Sequence, residues 1–546
     1  MKLNKRHIFL LILASLSCIF ITFGFTCFFS HQLCPPLPAF NIDPTKQNIY
    51  WGIPMIIIGF TILLASLFGF YLIPYEKINP DFQALLPETI IKKKIFNLIY
   101  VSHFLSSWGD RMLQFAIPVI LMLIFKTSFL PTAIYGIAIC LGNIIGLQFL
   151  GKWIDNTCRW KVQKKSIILE NISIVFNSIL ICYLPYYLSN NLLSFHDYRI
   201  ILIIIFGMLF SIVAEIMNNA QTISTEKDWI IVISDSSTYP IEKANATMKR
   251  IDLFCKILAP AFLGIILDFF SHSYHKIFVA GIVILIWNII SFPLETLYKL
   301  VIYENFSELE NQYNELCFGI DSTDLDYEDL GIIRRKKSWF SSTKLYFKHF
   351  IFLASISGCL LYMTVLSNGA IMTNYLQWRN ISLKIIALSR GLGALMGFLG
   401  TYLYIWLTKR SDREEKIGLI SLWSFFLLLS PILFSFIIVP FTIISDYTLI
   451  ISCIVSRTAL WIFDLVLQSI MQRGIGERER GKINSSHTIM YQIFTLLINI
   501  FGIIFYNPEN FIYLIIISLV AILSSAIVFS LWYKRYVLPS GYIYLF

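Results

Sequence analysis

The feature that most limits what this chain can become is a long series of apolar runs, many of them 18 or more residues in length. In lipid, a backbone segment can satisfy its own polar groups only as a helix, and about 20 apolar residues cross the hydrocarbon core. The composition agrees, with 57% hydrophobic and only 14% charged residues. That is too little charge to solvate the surface of a soluble protein of 546 residues. The chain therefore reads as an all-α polytopic membrane protein. Its formal net charge of +10 does not point to nucleic acid, because the basic residues gather in alternate loops, as membrane topology requires. Ten cysteines stand without CxxC pairs or zinc-like spacing, which favours packed, reduced thiols.

In chain order, residues 1–94 form an N-terminal extension with one or two extra hydrophobic helices, at Ile8 to Phe29 and about Trp51 to Leu72. The sequence leaves open whether 1–29 is a cleaved signal or a retained helix. Twelve spans follow in two sets of six. The N-terminal half, 95–302, holds spans near 97–125, 131–153, 166–188, 198–222, 247–270 and 277–302. A cytosolic linker, 303–345, is acidic first and basic at Arg334, Arg335, Lys336 and Lys337. The C-terminal half, 346–546, holds spans near 349–377, 384–407, 417–440, 446–470, 484–506 and 510–533. Loops carrying Lys152, Arg159, Lys161, Lys409, Arg410 and Lys482 lie on one side, so that side, with both termini and the linker, is cytosolic. Two six-span halves around a long cytosolic loop outline a major facilitator transporter.

Against that apolar background a few charges stand out. Asp110 and Arg111 interrupt the first span, and ionisable groups at such depth face a cavity or a partner. Between spans two and three, Gly151-Lys-Trp-Ile-Asp155-Asn-Thr-Cys-Arg159 looks like the G-x-x-x-D-x-x-x-R loop whose charges form gate salt bridges in major facilitators. Arg457 and Asp464 lie seven residues apart on span ten, either as part of a gate or as structural ions. Glu477, Arg478, Glu479 and Arg480, before span eleven, are expected to join Asp155, Arg159 and Asp228 in a cytosolic gate, with an ordinary solvated loop as the alternative.

The motifs Ser106-Ser-Trp-Gly-Asp110-Arg-Met, Trp153-Ile-Asp155, Asp228-Trp-Ile-Ile-Val232 and Asn245-Ala-Thr-Met-Lys-Arg-Ile-Asp252 follow one another in order. Leu361-Tyr-Met-Thr-Val-Leu366, Arg457-Thr-Ala-Leu-Trp461-Ile-Phe-Asp464 and Glu479-Arg-Gly-Lys-Ile-Asn484 continue the series. Together they resemble the ferroportins, cellular exporters of ferrous iron with a major facilitator fold. The N-terminal extension lies outside the resemblance.

The resemblance implies one metal site per half, and this chain departs from both. In span one the aspartate is Asp110, but Gln114 replaces a histidine one turn on, and an amide oxygen is the weaker transition-metal ligand. In span seven the family's Asp-Cys pair, in an unwound segment, is matched by Gly369 and Ala370, beside Asn368. In span eleven Ile498 takes the place of a histidine and Thr495 that of an aspartate. Because the span-seven cysteine also meets the peptide hormone hepcidin in that family, no hepcidin binding is expected. Lys256 stands where the family has an asparagine, and Glu170 where it usually has a glutamine. The family fold would bring both toward Asp110. At about 5 Å and an effective dielectric of about 20, a protonated lysine repels a divalent ion by about 7 kcal/mol. Lys256 thus reads in three ways: a counter-ion displaced by the cation, part of a site remade for another solute, or a static salt bridge.

The expected function is secondary transport that exports a divalent cation, most plausibly ferrous iron, by alternating access with proton coupling. Asp110, Gln114, Glu170, Lys256 and Asn368 are the candidate binding residues. Asp155, Arg159, Asp228, Arg457, Asp464, Glu479 and Arg480 are the candidate gate. The alternatives are a carrier of a non-metal polar solute and a transport-inactive scaffold or receptor. No permanent cofactor and no enzyme activity are expected: the spans show no nucleophile–base pair, and the linker carries no phosphate-binding glycine loop. The partners are the lipid bilayer and a small inorganic cation, not nucleic acid, and the protein is expected to be a monomer.

Overall fold

The computed structural model describes residues 88–125, 130–189, 198–235, 239–309, 341–367, 369–411, 413–505 and 507–538. The two extra helices expected before residue 73, Asn368 and most of the linker lie outside these. The first seven helices are α1 (Glu88–Ile124), α2 (Leu130–Asp155), α3 (Arg159–Ser189), α4 (Tyr198–Ser224), the short α5 (Ile230–Asp235), α6 (Ile241–Asp268) and α7 (Ser273–Glu304). A π-helical turn, Thr225–Trp229, carries the chain from α4 into α5. After the linker come α8 (Ser341–Lys348), α9 (Phe352–Leu360), α10 (Ala370–Trp378), α11 (Leu383–Thr408) and α12 (Glu414–Ile438). The chain closes with α13 (Ile443–Gly474), α14 (Arg480–Ile504) and α15 (Phe511–Trp532). No strand occurs among the described residues.

Ten of the described helical segments are long and apolar enough to cross a membrane. Two of the twelve expected spans fall outside that set, each for a clear reason. Helix α6 carries Lys249, Arg250, Asp252 and Lys256 along its length. Span seven, expected as one helix over 349–377, is instead two, α9 and α10, with non-helical backbone between. The break lies where the family resemblance implies an unwound segment. Its freed backbone groups are taken up by side chains, as membrane depth demands. Arg457 Nη2 donates to the Leu366 carbonyl at 2.8 Å, and the Val365 amide donates to Ser518 Oγ at 2.9 Å.

By contacts the chain forms two compact units. One contains α1, most of α3, the first part of α4, the end of α6 and α7. Within it α1 and α7 approach closely: a Cβ on Gly109 would lie 3.1 Å from the Trp287 ring, and Trp287 Nε1 donates to the Leu105 carbonyl at 3.2 Å. Trp108 packs edge-on against Phe262 and beside Trp287. The other unit contains α2, the start of α3, the end of α4, α5, the start of α6 and everything from 306 onward. Its main core joins α9 to α15 through Leu422, Phe425, Phe463, Val466, Ile522 and Phe529. A smaller cluster, Leu147, Leu150, Ala220, Ile223 and Ile489, binds α2 and α4 to α14. Among the described residues, Cys140, Cys182, Cys359 and Cys453 are free thiols. Cys158, at the start of α3, is disulfide-bonded, which corrects the expectation of reduced thiols at that position.

Candidate functional site

In the first unit, three helices bring acidic side chains together. Glu170 of α3 is buried, at 2% exposure, and hydrogen-bonds the side chain of Asp110 on α1. Glu170 also feels the charges of α7, where Glu295 and Lys299 form an ion pair of 2.8 Å one helical turn apart. Glu295 and Lys299 are themselves buried, at 2% and 5% exposure. The cluster thus brings three carboxyl groups and one lysine amine together.

Gln114 lies one turn beyond Asp110 and is exposed. Its Oε1 accepts a hydrogen bond of 2.8 Å from Arg111 Nη1, so the amide oxygen is occupied by its own helix. Lys256 is on the stretch of α6 that belongs to the second unit. Within the first unit the lysine that meets a carboxylate is Lys299, on a helix to which the sequence analysis assigned no functional residue.

The second unit holds the expected gate residues, and most of them meet. Arg159 binds Asp228 through two nitrogens, Nε at 2.6 Å and Nη2 at 3.0 Å, and reaches Glu477 with Nη2 as well. Arg480 Nη1 adds a bond of 2.9 Å to the same Asp228. The π-helical turn sets Asp228 on the face that receives both arginines. Asp155 closes α2 and points its carboxylate at the first turn of α14. It accepts from the amides of Gly481 at 2.6 Å and Lys482 at 3.1 Å, with Lys482 Nζ 3.2 Å away. A carboxylate is unfavourable at the C-terminus of its own helix and favourable at the N-terminus of another, so this contact ties two helix ends. Only glycine fits at 481, since a Cβ there would sit 2.5 Å from Asp155 Oδ1.

Other expected members take different partners. Asp464 pairs with Lys249 at 2.7 Å, and Lys249 also lies 4.6 Å over the Trp461 ring. Arg457 serves the broken segment rather than Asp464. Glu479 directly precedes α14, and it is Glu477 that meets Arg159. The sequence analysis missed a reciprocal amide pair, Asn245 with Gln472, at 2.5 Å and 3.1 Å, and the Arg473 contacts to Glu242 and Glu414.

The family model described as Ferroportin1 (FPN1) matches residues 93–522. The chain belongs to the ferroportin family. Human ferroportin (Homo sapiens) is 27% identical over 512 residues, spanning 77% of this chain and 88% of the human protein. Solute carrier family 40 member 1 of Oryza sativa subsp. japonica is 25% identical over 450 residues, spanning 80% and 90%. Among solved structures, a bacterial homologue of the iron transporter ferroportin, in its outward-facing state, matches with a TM-score of 0.68. The identity there is 23%, over 81% of this chain and 100% of that one. FucP, a Major Facilitator Superfamily transporter in an outward conformation, matches at 0.55 and 12% identity, over 80% and 98%. These likenesses give the fold as that of the major facilitators. As a ferroportin-family member the chain is a multi-pass membrane transporter, not an enzyme.

The family match begins at 93, so residues 1–92 are outside it. Of the positions that the ferroportin resemblance marks in the second half, Gly369 precedes α10 and Ile498 is buried on α14. Neither has a ligand atom in its side chain. Thr495 donates to the Tyr491 carbonyl at 3.0 Å on its own helix.

Proposed function

We propose that this protein exports a divalent cation from the cytosol, ferrous iron foremost, in exchange for protons. The observation that carries the reading is the carboxyl–carboxylate contact between Asp110 and Glu170 beside the Glu295–Lys299 pair. With one proton shared, the four side chains hold one net negative charge. Replacing that proton by a divalent cation brings them to neutrality, whereas adding the cation without losing the proton leaves an uncompensated positive charge in an apolar surround. Exchange is therefore the electrostatically favoured event. Asp110 is the principal contact, Glu170 the second, and Lys299 is the counter-charge that limits how much cation charge the cluster accepts.

Alternating access supplies the route. The bonds of Arg159, Asp228, Glu477 and Arg480, with Asp155 against α14, join the cytosolic ends of N-terminal-half helices to those of the C-terminal half. That arrangement suits a state closed to the cytosol, and the related bacterial structure is described as outward-facing. Opening inward then requires these charge-assisted bonds to break together. Such bonds contribute about 1.5–3 kcal/mol each.

One observation favours a second reading, a carrier of a non-metal polar solute: a lysine accompanies the acids, and the second-half positions Gly369, Ala370 and Ile498 offer no ligand. Flux into liposomes discriminates. Ferrous, manganese, cobalt and calcium ions are offered to the purified protein at two pH values. Metal flux that rises with pH and is lost in Asp110→Asn supports the exporter. No flux of any metal by folded protein selects the non-metal carrier.

A further inference from the structure

The break in span seven carries positive charge that no described carboxylate answers. Residues 349–411, which cover α9, α10 and α11, contain no aspartate or glutamate but include Arg379, Lys384 and Arg390. Arg457 stands near the middle of α13, inside a membrane span. Among the described residues its guanidinium makes one hydrogen bond, from Nη2 to the Leu366 carbonyl at 2.8 Å, and no ion pair. Both carboxylates of α13 are engaged elsewhere, Asp446 by Arg379 at 3.0 Å and Asp464 by Lys249 at 2.7 Å. Beyond the break, Arg390 Nη2 donates to Thr373 Oγ1 at 2.6 Å, and it too makes no ion pair among the described residues. Two guanidinium groups thus meet the chain on either side of Gly369, at Leu366 and at Thr373. Gly369 itself stands where the ferroportin resemblance puts an aspartate.

We propose that this break binds a small carboxylate anion in preference to a halide, with Arg457 as the principal contact and Arg390 as the second. The anion site goes beyond cation export and does not depend on it. Charge supports it first. A guanidinium inside a span is tolerated where a counter-charge or water meets it, and a hydrogen bond to a neutral carbonyl leaves its unit charge uncompensated. Donor count supports it second. Of the five N–H groups on a guanidinium, Arg457 commits one to Leu366, and the rest suffice for a two-pronged contact with a carboxylate. The flat fork matches two coplanar oxygens better than a spherical halide. The backbone adds to the same field. Helix α10 begins at Ala370, between the two points that the arginines touch, so the partial positive charge of its N-terminus lies in that stretch. An anion held there supplies the negative charge that Gly369 does not.

The test is thermal unfolding of the purified full chain in detergent, with sodium acetate replacing sodium chloride at constant ionic strength. Acetate is expected to raise the unfolding temperature above its value in chloride, and to do so saturably. Arg457→Gln keeps a donor for Leu366 but removes the charge, and should weaken the apparent acetate affinity more than about tenfold. Arg390→Gln should weaken it by a smaller factor, because Arg390 is exposed. Gly369→Asp supplies a carboxylate from the chain itself. Gly369 has a φ of −83°, and the nearest atom that a Cβ there would meet is Ser367 Oγ at 3.4 Å, so the backbone accepts the change. That variant should unfold at a higher temperature than the unaltered protein in chloride and should not respond to acetate. It decides the matter if Arg457→Gln does not fold. Equal unfolding temperatures in acetate and chloride, or an acetate response that survives Arg457→Gln or Gly369→Asp, overturn the proposal. None of these readouts uses metal flux, so the anion site and cation export fail separately.

Discussion

If Asp110 and Glu170 share the exchanged proton, as proposed, Glu170 is the informative residue to change. Glu170→Gln keeps a hydrogen-bonding side chain against Asp110 but removes the exchangeable proton. If one proton leaves as one cation binds, apparent affinity in the unaltered protein falls about tenfold per pH unit on acidification. In Glu170→Gln that slope should flatten; measured by metal flux across a pH series, an unchanged slope would place the coupling proton elsewhere. Lys299 makes a second prediction at this scale. Lys299→Met leaves Glu295 buried without its ion-pair partner, a loss of about 3–5 kcal/mol. A clear drop in unfolding temperature is expected, and Glu295→Gln combined with it should restore much of the loss. Asp110 and Glu170 were legible because each is a charge inside an apolar run. Glu295 and Lys299 are spaced one turn apart and could have been noticed. Their position near the end of a span gives no signal by itself, because long side chains near a helix end ordinarily reach water. The partners of Asp464 and Arg457 were not legible, since Lys249 and the Leu366 carbonyl lie far away in sequence.

At the level of elements, helix ends carry the proposed gate. Asp155 caps α14 from outside that helix, and Asp155→Ala removes acceptors for the Gly481 and Lys482 amides. A lost cap costs about 1–2 kcal/mol, which shifts an equilibrium by about five- to thirty-fold. Cytosol-side labelling of a cysteine introduced near the gate should therefore speed up in Asp155→Ala by about that factor. An unchanged rate would show that the cap does not hold the closed state. The G-x-x-x-D-x-x-x-R loop was readable because its charges punctuate two apolar runs, and Asp155 and Arg159 do meet the expected region of the chain. The division of span seven into α9 and α10 was not visible as a hydropathy dip. The break is held by Arg457 and Ser518, each a single side chain answering a backbone group. Apolar residues such as Leu361, Val365 and Leu366 stay buried there whether or not they are helical.

For the whole molecule, the apolar runs were enough to place the long helices, ten of which among the described residues are long and apolar enough to cross a membrane, because lipid leaves so few solutions for a backbone. What the chain carries was less accessible, because the substrate depends on a handful of side chains that this member has altered. Gly369 and Ala370 remove both the acid and the thiol of span seven. Hepcidin at saturating concentration should accordingly leave transport unchanged, and inhibition would mean that another surface recognises it. The central claim is cation export coupled to the Asp110–Glu170 proton. It is tested most directly by loading liposomes that contain the purified protein with a pH-sensitive dye and adding ferrous iron. The account predicts iron flux with stoichiometric counter-movement of protons, both abolished in Asp110→Asn. Iron flux without proton movement, or proton movement indifferent to iron, would contradict it.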